Sequence, residues 1–478
     1  MPHRRLTEVL LVGLCGSVLV AVWSVVDRVP GHEPIPSAGD LASGLLGLVA
    51  LGLLVVAWWR SAPLRRLHGL TAAVWSLPLL VIPPLLSLDG WAYAAQGSLL
   101  AHGLNPYEVP QGRAGLLGAQ VDGHWAATTA VYPPGSLWVQ AAMTRLAGDH
   151  PYWSVVAMRL PAVVAVVLIG LAVALVCRLG GADVDRGLWL AVSNPLVLVL
   201  VIGGMHNDGL EVALAMVALA LAWWLARGAH PWWALVGGGI VVGLAGTVKQ
   251  PGVLAGMGVV AVVVAEVTRS GRSITWGGLV GRLLVAAVPA LAAFGAVSAI
   301  GGLGLGWLND SAGSPAAVTS DSPIAMTVQV LTSLGVPTAR TVGPAVKLSL
   351  ALTALALVWC WWRWGPLPGR PGQPLVFQAA ALAAFALCGA ALQPWYLVGP
   401  VVVLAATGPH GRRRRALVLV SLACCLLSLL QWYVSPFLAL PLVVASAALV
   451  WWLPSCRWLL EPPATRPVTG SSMGHVRE

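Results

Sequence analysis

A carboxylate stands where an apolar run ends and a polar segment begins. Asp89 opens the stretch DGWAYAAQGSLLAHGLNPY. From Asp89, the residues Tyr93, Gln96 and Leu100 follow at steps of four, three and four, which predicts an acid, a phenol and an amide on one helix face. A carboxylate beside hydrocarbon is costly, so this face indicates chemistry at the membrane surface. The alternative is that Asp89 is an N-cap that accepts backbone N–H groups.

Two aromatic turns follow within the same connection. NPY contains Asn105 and Tyr107, and VYPPG contains Tyr132. The prolines predict turns that return the chain to the bilayer and start a second amphipathic helix over 135–147. Both tyrosines are also candidates for hydrogen bonds to a sugar.

The motif GMHNDGLE gathers four polar side chains between two apolar runs. They are His206, Asn207, Asp208 and Glu211. Such a group could bind a metal, cap a helix or line an aqueous cavity. Its spacing is not a coordination pattern in itself, so we expect no metal site here.

Basic and aromatic residues stand at further helix ends. Lys249 and Gln250 lie in VKQPG, and Arg159 lies just inside another predicted boundary. Cations on the outer side run against the positive-inside bias, so they indicate an anionic ligand such as a lipid phosphate, with snorkelling to headgroups as the alternative.

QPWY adds an amide and two aromatic rings at another outer boundary. It contains Gln393, Trp395 and Tyr396. Sugar rings stack on such aromatics, which would make this motif part of a carbohydrate site. An aromatic belt at the membrane interface explains the same residues without a ligand.

Composition places these motifs on an integral membrane protein. Apolar residues make up 58% of the 478 positions and charged residues 9%. The net charge is +10, but the basic residues are scattered at the ends of apolar runs and therefore indicate topology and not a nucleic-acid partner. The seven cysteines lie in or beside apolar runs without metal-site spacing and are assigned to packing.

The apolar runs predict about fourteen transmembrane helices. Short neighbouring pairs, such as 232–247 with 251–267, could be re-entrant hairpins instead. The predicted spans are 6–26, 41–59, 69–87, 153–177, 187–203, 208–226, 232–247, 251–267, 281–303, 342–363, 375–392, 395–408, 416–432 and 436–453.

Charge and tryptophan positions predict one orientation. With the N-terminus in the cytoplasm, most of the 27 lysines and arginines fall on the inner side, and five tryptophan pairs fall at inner helix ends. The polar motifs then lie outside, and the connection 88–152 is the longest outer loop. The first helix is interpreted as retained, residues 1–458 as one transmembrane domain, and residues 459–478 as a disordered cytoplasmic tail.

A second acidic pair is interpreted as structural. Asp183 and Asp185 form a D-x-D sequence, which in soluble nucleotide-sugar enzymes holds a divalent metal. Here the pair lies in a short cytoplasmic turn beside Arg178 and Arg186. We therefore expect an ion-paired loop.

The motifs in combination resemble one enzyme family. Asp89 with GLNPY, then W-x6-YPPG, GMHNDGLE, VKQPG and QPWY are similar to the polyprenol-phosphomannose-dependent α-1,6-mannosyltransferases of lipomannan biosynthesis. The resemblance covers the chain to about residue 408. It implies the GT-C membrane glycosyltransferase fold, a lipid-linked donor and an extracytoplasmic active site in the plasma membrane. YPPG and Gln250 depart from the usual family pattern, which leaves the acceptor and linkage open.

The resemblance also implies roles for the candidate residues. Asp89 would be the catalytic base for an inverting transfer to a mannan or lipoglycan acceptor, without a metal or other cofactor. Lys249, Arg159 and His206 would bind the donor phosphate. The sugar and acceptor contacts are assigned to Tyr93, Gln96, Asn105, Tyr107, Tyr132, Asn207, Asp208, Gln250, Gln393, Trp395 and Tyr396.

Two alternatives remain open at this point. The first is a transferase on the same scaffold that uses polyprenyl-phosphate arabinose or glucose. The second is a transporter or flippase of lipid-linked sugars, although such proteins usually have two related halves with polar residues near the midplane.

Overall fold

The computed structural model describes residues 2–26, 38–228, 230–308 and 320–461. Within these ranges the chain is helical, apart from an isolated bridge between Leu367 and Arg370. The α-helices are Pro2–Val26, Ala38–Ser61, His68–Ser76, Asp89–Ala101, Gly115–Gly118, Gly123–Ala126, Pro134–Leu146, Pro151–Ala157, Arg159–Gly180, Val184–Ala191, Asp208–Gly228, Pro231–Val248, Ala255–Arg269, Trp276–Ile300, Pro323–Ser333, Thr338–Trp364, Pro374–Cys388, Val398–Ala405, Gly411–Leu430 and Pro436–Trp452. The all-helical prediction is confirmed for this part of the chain.

Tighter or wider helical turns join these elements. The 3-10 segments are Leu77–Leu80, Gln111–Arg113, Gln250–Leu254, Gly306–Leu308, Pro394–Leu397 and Pro454–Leu460, and Val197–Gly203 is a π-helix. A further polar segment of the sequence, LNDSAGSP, lies outside the described residues except for its first leucine, and so does the predicted tail from residue 462 onward.

Eight helices in the described ranges are long and apolar enough to cross a membrane. They are Arg4–Val26, Gly39–Ser61, Pro151–Gly180, Asp208–Gly228, Pro231–Val248, Gln250–Arg269, Trp276–Ile300 and Thr338–Trp364. A ninth is reached if the bent pair Phe437–Trp452 and Pro454–Leu460 is one span. Each of the fourteen predicted spans coincides with helical structure, but several are short or broken, so their number is not confirmed.

The break in the predicted span 187–203 shows why periodicity overestimates span length. Pro195 cannot donate to a helical ladder, and Asn194 takes over the local hydrogen bonds. Its Oδ1 accepts from the Leu196 N–H at 3.0 Å, and its Nδ2 donates to Ser421 Oγ at 2.8 Å. The chain then continues as the fully buried π-helix Val197–Gly203 in the centre of the core.

The connection 88–152 is folded and packs onto the bundle. Its first helix, Asp89–Ala101, is called the loop helix, and Pro134–Leu146 is called the return helix. A Cβ on Gly97 would come within 2.5 Å of the Gln140 carbonyl oxygen, so the two helices cross closely at a glycine. The loop helix is buried on nearly all sides.

The cytoplasmic helix ends of the predicted topology carry ion pairs that are partly exposed. Asp183 pairs with Arg186 at 3.3 Å, and Asp185 pairs with Arg65 at 3.0 Å. Asp183 also caps the helix Val184–Ala191. The D-x-D sequence is therefore an ion-paired loop. The partner of Asp185 is Arg65, which lies far away in sequence and was not predicted.

Candidate functional site

Four of the polar motifs meet around a cavity of about 220 Å³, called the Asp89 cavity. The loop helix contributes Asp89 and Gln96, and the VKQPG turn contributes Lys249 and Gln250. The remaining lining residues are Ala92, Gln111, Trp125, Val131, Tyr132, Ser320, Ala391, Gln393, Trp395 and Tyr396. Segments far apart in sequence thus place a carboxylate, an ammonium group, amides and aromatic rings around one space.

Asp89 points into this cavity and does not cap its helix. Leu88 is the N-cap residue and no side chain caps the first turn, while the Asp89 N–H donates to Ser87 Oγ at 3.1 Å. The Asp89 side chain is 26% exposed. Its Oδ2 lies 3.5 Å from the Tyr93 hydroxyl and 3.4 Å from His206 Nδ1. The carboxylate is therefore free of backbone partners and accessible from the cavity.

The surroundings of Asp89 favour its ionised form. Burial raises the pKa of this carboxyl, but His206, Lys249 and Ser87 together outweigh burial and hold the pKa below its ordinary value. Burial, with Tyr132, Asp89 and Asp208 nearby, raises the pKa of Tyr93 well above its ordinary value. Tyr93 therefore stays a hydroxyl donor while Asp89 stays a proton acceptor at neutral pH.

Lys249 is the buried cation of the site. Its Nζ donates to Asp208 Oδ2 at 2.7 Å and lies 4.4 Å from the centre of the Tyr396 ring. The two charged side chains are 9% and 7% exposed. Burial lowers the pKa of Lys249, but Asp208, Tyr396 and Asp89 outweigh burial and raise it, so the ammonium form persists. Two of its three N–H donors remain for a ligand.

A second cavity adjoins the first at Lys249. It has a volume of about 230 Å³ and is called the apolar cavity. It shares Lys249, Gln250, Ala391, Trp395 and Tyr396 with the Asp89 cavity, and its other walls include Leu382, Phe385 and Pro400. Asp208 and Glu211 also line it, and Glu211 Oε1 has no hydrogen-bond partner among the described residues.

The GMHNDGLE turn sets His206 and Asn207 behind Asp89. Met205 has a φ of +59°, a left-handed conformation that a non-glycine residue rarely adopts. The turn follows directly on the π-helix, and both irregularities are features that cluster at functional sites. Asn207 accepts from the Tyr93 hydroxyl at 3.3 Å and donates to Ser136 Oγ at 3.2 Å.

Six candidate residues line neither of these cavities: Tyr93, His206 and Asn207 lie behind Asp89, and Arg159, Asn105 and Tyr107 lie elsewhere. Arg159 is 2% exposed and donates to the carbonyl oxygens of Pro83, at 2.9 Å, and Gly203, at 3.2 Å. It braces the turn before His206 and lines none of the described cavities, so its position does not support a phosphate-binding role.

Asn105 and Tyr107 are likewise engaged in local structure. Asn105 accepts from the Tyr107 N–H at 3.0 Å and donates to Glu108 at 2.8 Å. The Tyr107 hydroxyl donates to the Tyr132 carbonyl at 2.7 Å. These contacts shape the loop that carries Tyr132, and neither side chain lines the Asp89 cavity.

Sequence reasoning missed several residues of the site. Gln111 and Trp125 come from the middle of the long loop, and Ser320 from a segment near the chain's last third. Ser320 Oγ accepts from the Leu392 N–H at 2.8 Å and so joins its segment to the loop before QPWY. No sequence spacing links these residues to Asp89. Gln111 and Trp125 could have been predicted as site residues, because they are an amide and an aromatic ring in a loop that is too long to be a plain connection.

The metal alternative for GMHNDGLE is not supported by the donor set. Asp208 is paired with Lys249, and His206 stacks on Trp395 with ring centroids 3.7 Å apart. Among the described residues, no group of three or more His, Cys, Asp or Glu side chains could hold a metal ion.

Similarity to known proteins gives the site its family context. A family model described as the N-terminal domain of alpha-(1→6)-mannopyranosyltransferase matches residues 8–266. A second, described as the MptB C-terminal domain, matches residues 318–458. The first match alone spans more than half of the chain and contains Asp89, GMHNDGLE and VKQPG.

Two proteins of one organism that are similar to this chain are also named alpha-(1→6)-mannopyranosyltransferases. An alpha-(1→6)-mannopyranosyltransferase of Mycobacterium tuberculosis is 29% identical over 405 residues, which cover 73% of this chain and 67% of that protein. Alpha-(1→6)-mannopyranosyltransferase A of the same organism is 27% identical over 442 residues, which cover 86% and 81% of the two chains.

A solved structure aligns only loosely. The arabinosyltransferase EmbB from Mycobacterium smegmatis aligns with a TM-score of 0.35 and 16% identity, over 90% of this chain and 43% of that chain. We draw nothing about fold or function from so loose an alignment, so the predicted GT-C fold rests on the family resemblance. The two family models and the relatives agree with one another: the chain belongs to the alpha-(1→6)-mannopyranosyltransferase family.

Proposed function

We propose that this protein transfers mannose from polyprenyl-phosphate mannose to a mannan or lipoglycan acceptor. The transfer would invert the anomeric centre, form α-1,6 linkages and take place on the extracytoplasmic side of the plasma membrane. Family membership supports a mannosyltransferase. The observation that carries the proposal is that Asp89 and Lys249 line one polar cavity which joins an apolar cavity at Lys249.

The polar cavity suits the reacting sugars. Asp89 accepts the proton of the acceptor hydroxyl as its oxygen attacks the anomeric carbon. The bond from that carbon to the phosphate oxygen breaks, and the electron pair leaves with the polyprenyl phosphate. Gln96, Gln250 and Gln393 offer amide groups for sugar hydroxyls, and Trp395 offers a ring for stacking.

Lys249 would stabilise the departing phosphate. It stands at the junction of the two cavities, where a phosphate between a sugar and a prenyl chain would lie. Asp208 holds the ammonium group in place, which pre-organises its charge for the transition state. Because this lysine supplies the positive charge, we propose that transfer needs no metal or nucleotide cofactor.

The apolar cavity suits the first isoprene units of the donor. Leu382, Phe385 and Pro400 provide its hydrocarbon surface, and the helices that carry them are part of the membrane bundle. A lipid-linked donor needs such an apolar surface beside the reacting centre. A soluble nucleotide-sugar donor would not.

A donor panel with the purified protein tests this function. We expect transfer to an oligomannoside acceptor from polyprenyl-phosphate mannose, with and without a metal chelator, and not from the arabinose or glucose donors. Nuclear magnetic resonance of the product should show an α-1,6 linkage. Transfer only from another donor sugar would replace the substrate. Movement of the lipid-linked sugar across vesicles without transfer would favour a flippase.

The Asp89→Asn variant separates chemistry from donor binding in the same assay. Asparagine keeps the side-chain shape but cannot accept the proton at neutral pH. We expect donor binding to remain while transfer is lost. Retention of more than a few per cent of the transfer rate would remove Asp89 from the role of base.

A further inference from the structure

His206 is enclosed on every side in a way that fixes its ring. Its side chain is fully buried, and one face stacks on Trp395 at an interplanar angle of 15°. A Cβ added to Gly204 would lie 2.8 Å from His206 Cδ2, so the glycine makes room for the ring. The ring edge at Nδ1 faces Asp89 Oδ2 at 3.4 Å. With no access to the Asp89 cavity, His206 is placed to act on Asp89 and not on the donor phosphate.

His206 also lines a separate small cavity. This cavity has a volume of about 30 Å³, which is room for one water molecule, and is lined by His206, Gln140, Ser136, Asn207 and Tyr93 among others. His206 Nε2 and Gln140 Oε1 have no hydrogen-bond partner among the described residues, and His206 Nδ1 also makes no hydrogen bond there, although it lies 3.4 Å from Asp89 Oδ2. Gln140 Nε2 donates to Ser136 Oγ at 3.1 Å, which leaves the Gln140 oxygen as an acceptor.

The two acceptor atoms without a partner, His206 Nε2 and Gln140 Oε1, match the two O–H donors of one water molecule. With its proton on Nδ1, the imidazole donates toward Asp89 and presents Nε2 as an acceptor. A water has two O–H donors, one for Nε2 and one for Gln140 Oε1. Buried acceptors without a partner cost free energy, so a bound water here both satisfies them and fixes the tautomer.

We propose that His206 is a positioning residue for Asp89, held by the stack on Trp395 and by a single buried water in the cavity behind it. This inference rests on the proposed function, in which Asp89 is the base. The imidazole orients the carboxylate toward the acceptor hydroxyl and stabilises its ionised form. The contact at 3.4 Å would shorten when substrate closes the site.

The charged and titratable groups around Asp89 set the expected pH effect. Besides His206, they are Lys249, Tyr93, Tyr132 and Tyr396. Burial raises the pKa of Asp89, and His206 is the first of the groups that lower it. Without His206 that pKa rises, so the ionised base is lost at a higher pH as the solution is acidified.

The test compares His206→Ala and His206→Gln in purified full-length protein. We expect His206→Ala to lower kcat for mannosyl transfer by about 10- to 100-fold, with donor KM nearly unchanged. The acid limb of kcat/KM should move to higher pH, because the pKa of Asp89 rises when His206 is removed. His206→Gln restores an N–H donor toward Asp89 and should recover part of kcat.

The matched control is His68→Gln. His68 is also buried, at 1% exposed, with no hydrogen-bond partner for either ring nitrogen among the described residues, but it lies beside the Asp185 ion pairs. We expect it to leave the pH profile unchanged. If His206→Ala raised donor KM and kept kcat, or if both His206 variants kept the wild-type pH profile, the positioning role would be wrong. Retained transfer in Asp89→Asn would instead overturn the proposed function.

Discussion

The two ends of the helix Asp208–Gly228 carry ion pairs that differ in burial. At its start Asp208 and Lys249 are 7% and 9% exposed. At its end Arg227 and Arg269 share Glu266, and the two arginines are 38% and 57% exposed. Glu266 is itself only 10% exposed, but only in the first cluster are both the acid and the base shielded from water by protein.

This difference indicates where the molecule does chemistry. An exposed pair contributes little because water and salt screen it. A buried pair loses its hydration and is retained where the fixed charge is useful, as beside a cavity that must stabilise a departing phosphate. The predicted inner end thus resembles an ordinary solvated helix boundary, and the other end resembles an active site.

The largest expected effect separates Asp89 from Asp185. Asp89→Asn should lower the transfer rate by about 10³-fold, because the general base is removed. Asp185→Asn changes the partner of Arg65, an arginine that is 71% exposed, and should leave the rate within about twofold. Initial rates with polyprenyl-phosphate mannose measure both. Equal losses of transfer rate in the two variants would contradict the distinction between the Asp89 cavity and the ion pairs on the predicted inner side.

The next effect concerns stability. Lys249→Ala leaves the Asp208 carboxylate buried without its partner and should lower the free energy of unfolding by about 3 to 5 kcal/mol. Arg227→Ala should cost about 0 to 1 kcal/mol, since Glu266 keeps Arg269 and Trp223 as partners. Unfolding in detergent gives both values. The double variant Lys249→Ala with Asp208→Asn should recover most of the loss, and no recovery would contradict the charge argument.

A smaller effect is expected at Gln250, whose side chain lines both cavities. Gln250 Nε2 donates to the Val131 carbonyl at 3.0 Å and so ties the VKQPG turn to the loop before Tyr132. Gln250→Ala should cost about 1 kcal/mol of stability and raise KM for the acceptor a few-fold. Steady-state kinetics measure the change. A loss in kcat as large as that of Asp89→Asn would assign Gln250 a different role.

The smallest effect is one of pH. The pKa of Asp89 lies below its ordinary value, and activity needs the deprotonated carboxylate. Activity is therefore present above that pKa and is lost only as pH falls through it. We expect kcat/KM to stay flat on the acid side from pH ~8 to pH ~5, since an unperturbed aspartate titrates near 4. An inflection near pH 6 would contradict the ionised state of Asp89.

Much of the helical architecture could be predicted from local sequence. Apolar runs and their Pro and Gly boundaries locate helices such as Asp208–Gly228 and Pro231–Val248 within a few residues. The prediction failed on span length at Asn194, where a side chain replaces the backbone hydrogen bonds of a helix. The burial of the loop helix on nearly all sides was not predicted, because it depends on neighbours that the periodicity of one helix does not reveal.

The site could be predicted in kind but not in arrangement. The step from Asp89 to Tyr93 follows from helix geometry, and the two side chains do meet. Arg159 was placed with the phosphate because it is a cation at a helix end. In the structure it binds two carbonyl oxygens, and no feature of its local sequence distinguishes these two uses.

The sequence by itself determined that the chain is a helical membrane protein with its polar motifs at helix ends, because hydropathy and backbone chemistry act locally. Only the tertiary structure decided that Lys249 pairs with Asp208, 41 positions away, and that His206 stacks on Trp395 behind Asp89. Those contacts depend on how helices cross and on where turns end. Crossing geometry is a property of packed neighbours, so it becomes defined only when the whole bundle has formed.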